Sequence, residues 1–425
     1  MFAVTAASAF TVSPVWKSLE TGLSGVADSY VLRDGLVPAS APRPTQRTTV
    51  RHTEVSPTDV VFYRDTNAWC PFCERVWLYL LESDVSTQHA FVDLGAKQDW
   101  YKEVIPTGQT PSLSLGGKPV WESVEIMASL ERAITSGDVG GTSLLPLEEP
   151  ARSRVLEELT CFDSADKGGL RIGAAGYTYM RGAKFGETPP EGGANLAELR
   201  TDFIEALEAL EVRLSKAPGP WFEEEFGILD VALWPSIERQ VAGLPAFRGF
   251  ELRGNEQFPA VAAWLEAMAA RPAVREVSSD DGTLVRLFGR VFGMKGGTPP
   301  ADAVAEFGGE AAREAASKLV RNRAAVAADI LQHAALAGAL PEESTLAYVD
   351  AALSLVACRL AAEPSATPTV PDEEKSAAAA VISAALAFLR TRVSSPRDMS
   401  AAAAAQLRTA CALEAASAYD RLGYN

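Results

Sequence analysis

Two of the five cysteines in this chain, Cys70 and Cys73, stand three positions apart in the tetrad Cys-Pro-Phe-Cys. A thiol reacts as its thiolate, and a free cysteine at neutral pH is mostly protonated. At a helix N-terminus a cysteine faces backbone N–H groups without intrahelical partners and the positive end of the helix dipole, and both favour the thiolate. Pro71, with its preset φ and no N–H, suits the first helical position. The spacing therefore makes Cys70 the nucleophile and Cys73, one turn further in, a shielded resolving thiol. The chemistry is thiol–disulfide exchange. A buried inert Cys70 is the alternative, and a CxxC tetrad carries weight only after a strand and at the start of a helix.

A second group of residues points to a ligand. In Gly-Gln-Thr-Pro-Ser-Leu, Pro111 heads a run that reads as a strand. A cis bond there would turn the backbone of Thr110 toward a pocket, ready to pair with an extended peptide. Further on, Trp121-Glu122-Ser123 opens a helical run. A helix N-terminus accepts a carboxylate, and Glu122 beside it can take an ammonium, so the pair would hold an α-amino-acid head group. Glu122 and Ser123 could equally serve only to cap the helix.

The elements around these residues follow from periodicity. "DVVFYR" is a continuous apolar run, as expected of a strand covered on both faces. "CERVWLYLLE" carries Val76, Leu80 and Leu81 at helical spacing, and "HAFVDL" is a second short strand. "TPSLSLGGKPVWES" reads as two strands joined at Gly116-Gly117, followed by the helix "ESVEIMASLERAI". A βαβ unit followed by ββα is the thioredoxin-type plan. Residues 150–285 read as helical, with Leu199, Phe203, Leu207, Leu210 and Leu214 on one face of a long helix. Beyond residue 300 an Ala-rich region offers helical segments over 301–337, 341–363, 371–392 and 400–421. On the first of them Leu319, Val326, Ile330 and His333 share a stripe, which makes His333 a core-edge residue.

Four regions are thus expected: an N-terminal extension over 1–57, a thioredoxin-like domain over 58–140, an all-α domain over 150–285 and an all-α Ala-rich domain over 300–425. The extension, rich in Pro, Ser and Thr with Arg43, Arg47 and Arg51, has the composition of a plastid-targeting leader or of a flexible linker with a short helix at "VWKSLETGL". A net charge of −16 argues against nucleic acid as a partner. No apolar run reads as a membrane span; the longest, Ala377 to Leu389, is broken by Ser383. Cys161, Cys358 and Cys411 are scattered, which fits a reducing compartment, plastid or cytoplasm, better than a disulfide framework. One close cysteine pair and the isolated His52, His89 and His333 do not supply a four-ligand zinc site, so no metal is expected.

From Val60 to about Val277 the chain resembles a cytosolic-type glutathione transferase. It is most similar to the cysteine-dependent branch with the omega, lambda and dehydroascorbate reductase classes. The resemblance is carried by "CPFCERV", "GAKQDWYKEVIPTGQTPSL", "WES", "GILDVALWPSIER" and "FPAVAAWLEAMAARPAV". The long C-terminal region with the CPxC tetrad further resembles the iota class of photosynthetic organisms. The resemblance implies that Cys70 forms a mixed disulfide with glutathione, the co-substrate, with Phe72 beside it. It implies that Lys97 meets the glycyl carboxylate, although a solvated loop lysine would look the same in sequence. Thr110, ahead of Pro111, would pair with the cysteinyl moiety, and Glu122 and Ser123 would hold the γ-glutamyl end. Tyr177, Tyr179 and Trp234 are candidates for the second-substrate pocket, against the alternative that such aromatics are core. Many members have Ala or Ser where Cys73 stands, so monothiol and dithiol mechanisms both remain open. The Ser/Thr-x-x-Asp box of the family's core helix is here Gly227-Ile-Leu-Asp230, which keeps the acid and drops the hydroxyl.

The expected activity is reduction of a mixed disulfide or a dehydroascorbate-like electrophile. Conjugation is disfavoured because a cysteine tends to form a disulfide with glutathione rather than activate its thiol. The rival is a non-catalytic protein that uses the same scaffold, with the Ala-rich helices docking a protein partner, a second copy or an apolar ligand.

Overall fold

The computed structural model describes residues 14–26, 60–162, 168–184, 186–302, 306–336 and 340–423. The targeting-like stretch before Pro14, and Arg43, Arg47, Arg51 and His52, lie outside them. Packing divides the chain into two compact units, Gln46–Pro300 and the pair Met1–Thr45 with Ala301–Asn425.

In the first unit a four-stranded sheet has the order β2-β1-β3-β4, built from β1 (Val60–Asp65), β2 (Gln88–Val92), β3 (Ser112–Leu115) and β4 (Lys118–Trp121). β1 pairs parallel with β2 and antiparallel with β3, and all six residues of β1 are buried. Helices α2 (Pro71–Glu82), α3 (Asp99–Val104) and α4 (Ser123–Ser136) complete this layer. Val61, Tyr63, Ala90 and Val92 of the sheet pack with Tyr101 and Ile105 at α3. The β3–β4 turn places Gly116 and Gly117 at φ 57° and 78°, the left-handed pair that a two-residue hairpin of this twist requires.

The all-α part comprises α5 (Ala151–Cys161), α6 (Ile172–Arg181), α7 (Leu196–Leu214), α8 (Ile228–Arg248), α9 (Pro259–Ala270), α10 (Pro272–Val277) and α11 (Asp281–Phe292). α8 is its axis, buried at almost every position from Ile228 to Leu244. Gly243 lets α6 approach, since a Cβ there would come within 2.0 Å of the Met180 sulfur. At the start of α8 Asp230 accepts the Gly227 N–H at 2.9 Å and the Trp264 indole N–H at 2.8 Å. The acidic half of the capping box therefore works without a hydroxyl partner. Burial pushes the Asp230 carboxyl up to about 6. α11 runs past the expected end of this domain. The Asp280 side chain caps it by accepting the Thr283 N–H at 2.9 Å, and Leu284, Leu287 and Phe288 are buried.

The second unit holds α1 (Pro14–Gly22), α12 (Glu310–His333), α13 (Glu342–Ala361), α14 (Lys375–Arg392), α15 (Ala401–Ala416) and α16 (Ala418–Arg421). Its core joins Trp16, Leu19 and Leu23 to Ala312, Ala316, Leu319, Val349 and Leu353. The segment from Pro14 is therefore part of a folded core and not only an extension. α12 begins at Glu310 and not at residue 301, because Gly308 at φ 88° and Gly309 interrupt helical backbone. His333 pairs with Asp329 at 3.2 Å and keeps 38% of its side chain exposed. Cys358 and Cys411 are buried. α13 is long and apolar enough to cross a membrane by length and composition, which corrects the expectation that no run qualifies; Val349, Ala352, Leu353 and Val356 are buried in the unit's core.

Candidate active site

β1 ends at Asp65, and a short loop leads to Cys70 at the N-cap of α2, with Pro71 at the first helical position. The Asp65 carboxylate accepts the Trp69 N–H at 2.7 Å and the Cys70 N–H at 3.4 Å, which fixes the loop. Cys70 is partly exposed, and Cys73 is buried. The Cys70 thiol is lowered first by a hydrogen bond from the Cys73 thiol and further by the backbone N–H groups of Cys73 and Phe72; burial and the Asp65 charge oppose this. Burial, followed by its bond to Cys70, drives Cys73 well above the ordinary thiol range. The pair thus divides, with the Cys70 thiol lowered and the Cys73 thiol raised and donating to it. Sequence reasoning credited the helix N-terminus; the larger contribution comes from the neighbouring thiol.

The Thr110–Pro111 peptide bond is cis. Tyr101 secures the segment before it: its hydroxyl bonds to the Gln109 carbonyl and to Ser112 Oγ at 2.8 Å, and receives a bond from Thr110 at 3.3 Å. Lys97 Nζ donates to the Gly108 carbonyl at 2.6 Å. Gln109 Nε2 donates to Glu122 Oε1 at 2.5 Å. Lys97, Thr110, Pro111 and Glu122 are in this way joined along one edge, from the loop after β2 to the N-terminus of α4. Glu122 holds φ 68°, an uncommon value for a non-glycine residue, at the N-cap of α4. Ser123 is buried, and its hydroxyl accepts Arg75 Nη1 at 3.1 Å, while Arg75 Nε reaches the Ala232 carbonyl at 2.8 Å. Phe72 is 49% exposed, with the Arg75 guanidinium 5.6 Å from its ring.

The expected second-substrate residues separate. Trp234 is 6% exposed, donates its indole N–H to Ser278 Oγ at 3.1 Å and packs on Trp264 at 6.0 Å. It is packed in the core. Tyr179 is likewise buried, stacked on Phe203 at 5.6 Å. Tyr177 is half-buried against Phe292 of α11, with ring centroids 6.0 Å apart. Arg290 of α11 sets its guanidinium 5.2 Å from the ring of Trp69, the residue before Cys70. Sequence reasoning missed α11 as a neighbour of the site, and with it Asp65, Glu74, Glu238 and Arg239. The capping Asp280 ahead of Leu284, Leu287 and Phe288 was the available signal for the helix.

Among the described residues no group of three or more His, Cys, Asp and Glu side chains could hold a metal ion. Cys161 is partly exposed and lines a hollow with Arg154, Glu158 and Arg213.

Residues 69–133 match the family described as glutathione S-transferase, N-terminal domain, and residues 193–267 match glutathione S-transferase, C-terminal domain. Glutathione S-transferase L1 of Arabidopsis thaliana is 26% identical over 52% of this chain and 83% of its own length. The probable glutathione S-transferase DHAR1, cytosolic, of Oryza sativa subsp. japonica is 27% identical over 51% of this chain and 88% of its own. Among solved structures, glutathione transferase Omega 3C from Trametes versicolor aligns with a TM-score of 0.43 at 24% identity, over 52% of this chain and 90% of its own. These alignments leave about half of the chain uncovered.

Proposed function

We propose that the chain is a glutathione-dependent thiol transferase acting through a Cys70–glutathione mixed disulfide, in keeping with the match of residues 69–133 and 193–267 to the glutathione S-transferase N- and C-terminal domains. The observation that carries this reading is the divided thiol pair: Cys70 lowered at the head of α2, Cys73 raised and donating to it. The Cys70 thiolate attacks the glutathionyl sulfur of a mixed disulfide, RS–SG. The Cys70–SG bond forms, and RS⁻ leaves and takes a proton from water. A second glutathione thiolate attacks the Cys70-bound glutathionyl sulfur, which releases oxidised glutathione and returns the Cys70 thiolate. The balance is RS–SG + GSH → RSH + GSSG. Burial, the largest cause that holds the Cys73 thiol up, persists once Cys70 is in the mixed disulfide, and it favours the monothiol route.

In this reading the Thr110 backbone ahead of Pro111 pairs with the cysteinyl part of glutathione. Glu122 and the α4 N-terminus, with Ser123, receive the γ-glutamyl head group. Lys97 serves the glycyl carboxylate, and Phe72 covers the entrance. Tyr177 borders the acceptor side.

The test is glutathione-dependent reduction of a small mixed disulfide and of dehydroascorbate by wild type, Cys70→Ser and Cys73→Ser. Loss in Cys70→Ser with activity kept in Cys73→Ser is the expected outcome. Loss in both would replace the monothiol route with a dithiol cycle. A folded, reduced wild type without activity would overturn the enzymatic reading in favour of the scaffold.

A further inference from the structure

Beside the turn that carries Cys70 lies a cluster of buried charge that disulfide exchange does not itself use. Arg239 of α8 is 8% exposed, Glu74 of α2 is 4% exposed and Glu238 is 5% exposed. Arg239 Nη1 donates to Glu74 Oε2 at 2.7 Å, to Glu238 Oε2 at 2.7 Å and to the Pro235 carbonyl at 2.8 Å. Its Nη2 donates to the Trp69 carbonyl at 3.0 Å. The other Glu238 oxygen accepts the Ser279 N–H at 2.6 Å, which anchors the far side of the cluster. One guanidinium thus grips the residue just before Cys70 and a side chain on the first turn of the helix that Cys70 caps.

We propose that Arg239 is a positioning residue for the Cys70 thiolate, clamping both flanks of its turn and setting a fixed positive charge beside it. A buried guanidinium cannot lose its proton, and its planar fork reaches two acceptors at once, which suits it to this task. Two carboxylates against one cation are one negative charge too many in a buried site. Burial, then the Glu74 charge, pushes the Glu238 carboxyl well up, and burial raises Glu74 as well. Against the burial that penalises its charge, Arg239 is held cationic by the two carboxyls, Glu74 first, and the charge of Cys70 contributes in the same sense.

This arrangement gives charge changes of opposite sign with opposite consequences, which a merely structural role would not. Replacing Arg239 with methionine removes a cation beside Cys70, whereas Glu74→Gln removes an acidic group from the same cluster.

The experiment is the pH profile of iodoacetamide alkylation at Cys70 in the full chain, read by peptide mass spectrometry to separate it from the other cysteines. Circular dichroism establishes folding of each variant. In Arg239→Met the alkylation midpoint rises and the rate at neutral pH falls on the order of threefold. Glu74→Gln lowers the midpoint. Arg239→Lys, which keeps the charge and loses the fork, shifts it upward by less than methionine does. Where Arg239→Met does not fold, the opposed shifts of Arg239→Lys and Glu74→Gln carry the test. Shifts of the same sign in the arginine and Glu74 variants, or none in either, would overturn the proposal. The inference rests on Cys70 as the reacting thiol, and alkylation reads that thiol without glutathione. A wild type that alkylates at Cys70 yet turns over no glutathione would refute the proposed function and leave the clamp intact.

Discussion

Cys73→Ala removes the thiol that donates to the Cys70 sulfur, the largest influence lowering Cys70. A hydrogen bond to a charged group contributes about 1.5–3 kcal/mol, and a thiol is a weak donor, so a value just below that range, about 1.4 kcal/mol, applies. That corresponds to roughly a tenfold smaller thiolate population below the midpoint. The remaining thiolate is more basic and intrinsically faster, by about threefold at a Brønsted slope of ~0.4–0.5. The two effects work against each other. Below the wild-type midpoint Cys73→Ala should alkylate about threefold more slowly at Cys70, and well above the mutant midpoint about threefold faster. The two pH–rate profiles must therefore cross. The assay is iodoacetamide alkylation over a pH series, resolved at Cys70 by mass spectrometry. Profiles that differ by a constant factor, without crossing, would show that Cys73 affects access to Cys70 and not its ionisation, and would refute the argument.

Asp230 titrates at about 6 in the folded chain against 3.8 in the absence of structure. The native state binds more protons between these values, so stability falls as pH rises from about 4 to about 6. Asp230→Asn abolishes that slope, and the stability difference between variant and wild type should move in the variant's favour by about 3 kcal/mol from pH 3.5 to 7, measured by urea unfolding. An unchanged difference across that range would contradict a raised carboxyl. If Lys97 serves the glycyl carboxylate as proposed, Lys97→Ala should raise KM for glutathione about tenfold with kcat little altered, because a remote carboxylate is bound alike in substrate and transition state; a fall confined to kcat would remove it from that role. Trp16→Ala should destabilise the helical unit by about 3–5 kcal/mol through the cavity and the lost bonds to Asp350 at 3.0 and 3.1 Å. An unshifted thermal transition for that unit would show that α1 is dispensable.

The parts of the site that were legible in the sequence are local. "DVVFYR" announced a doubly buried strand because all its residues are apolar or end-positioned, and Gly116-Gly117 announced the hairpin because its turn needs left-handed backbone at both positions. Cys70-Pro71 announced a helix start because proline tolerates that position and few others. What stayed hidden is non-local. Glu74 and Arg239 stand 165 residues apart, and neither sits in a pattern that distinguishes it from a surface charge. Trp234 reads in sequence as either pocket or core because an aromatic beside a proline in a helix carries no mark of which side it faces; its indole N–H is taken up by Ser278, 44 residues away. The start of α12 was placed too early because alanine continuity outweighed the Gly308-Gly309 break.

Trp16 and its partner Asp350 are 334 residues apart in the chain, yet both belong to the same helical unit. That unit joins α1 to helices beyond residue 300, with all of Gln46–Pro300 made in between. At ~5–20 residues per second, the apolar face of α1 waits roughly 20–70 s on the ribosome before α13 exists to cover it. The Gln46–Pro300 unit has its full sequence during that interval and can fold first. Newborn chains therefore expose Trp16, Leu19 and Leu23 until α13 emerges, and loss of either α1 or the helices beyond residue 300 strands the same core.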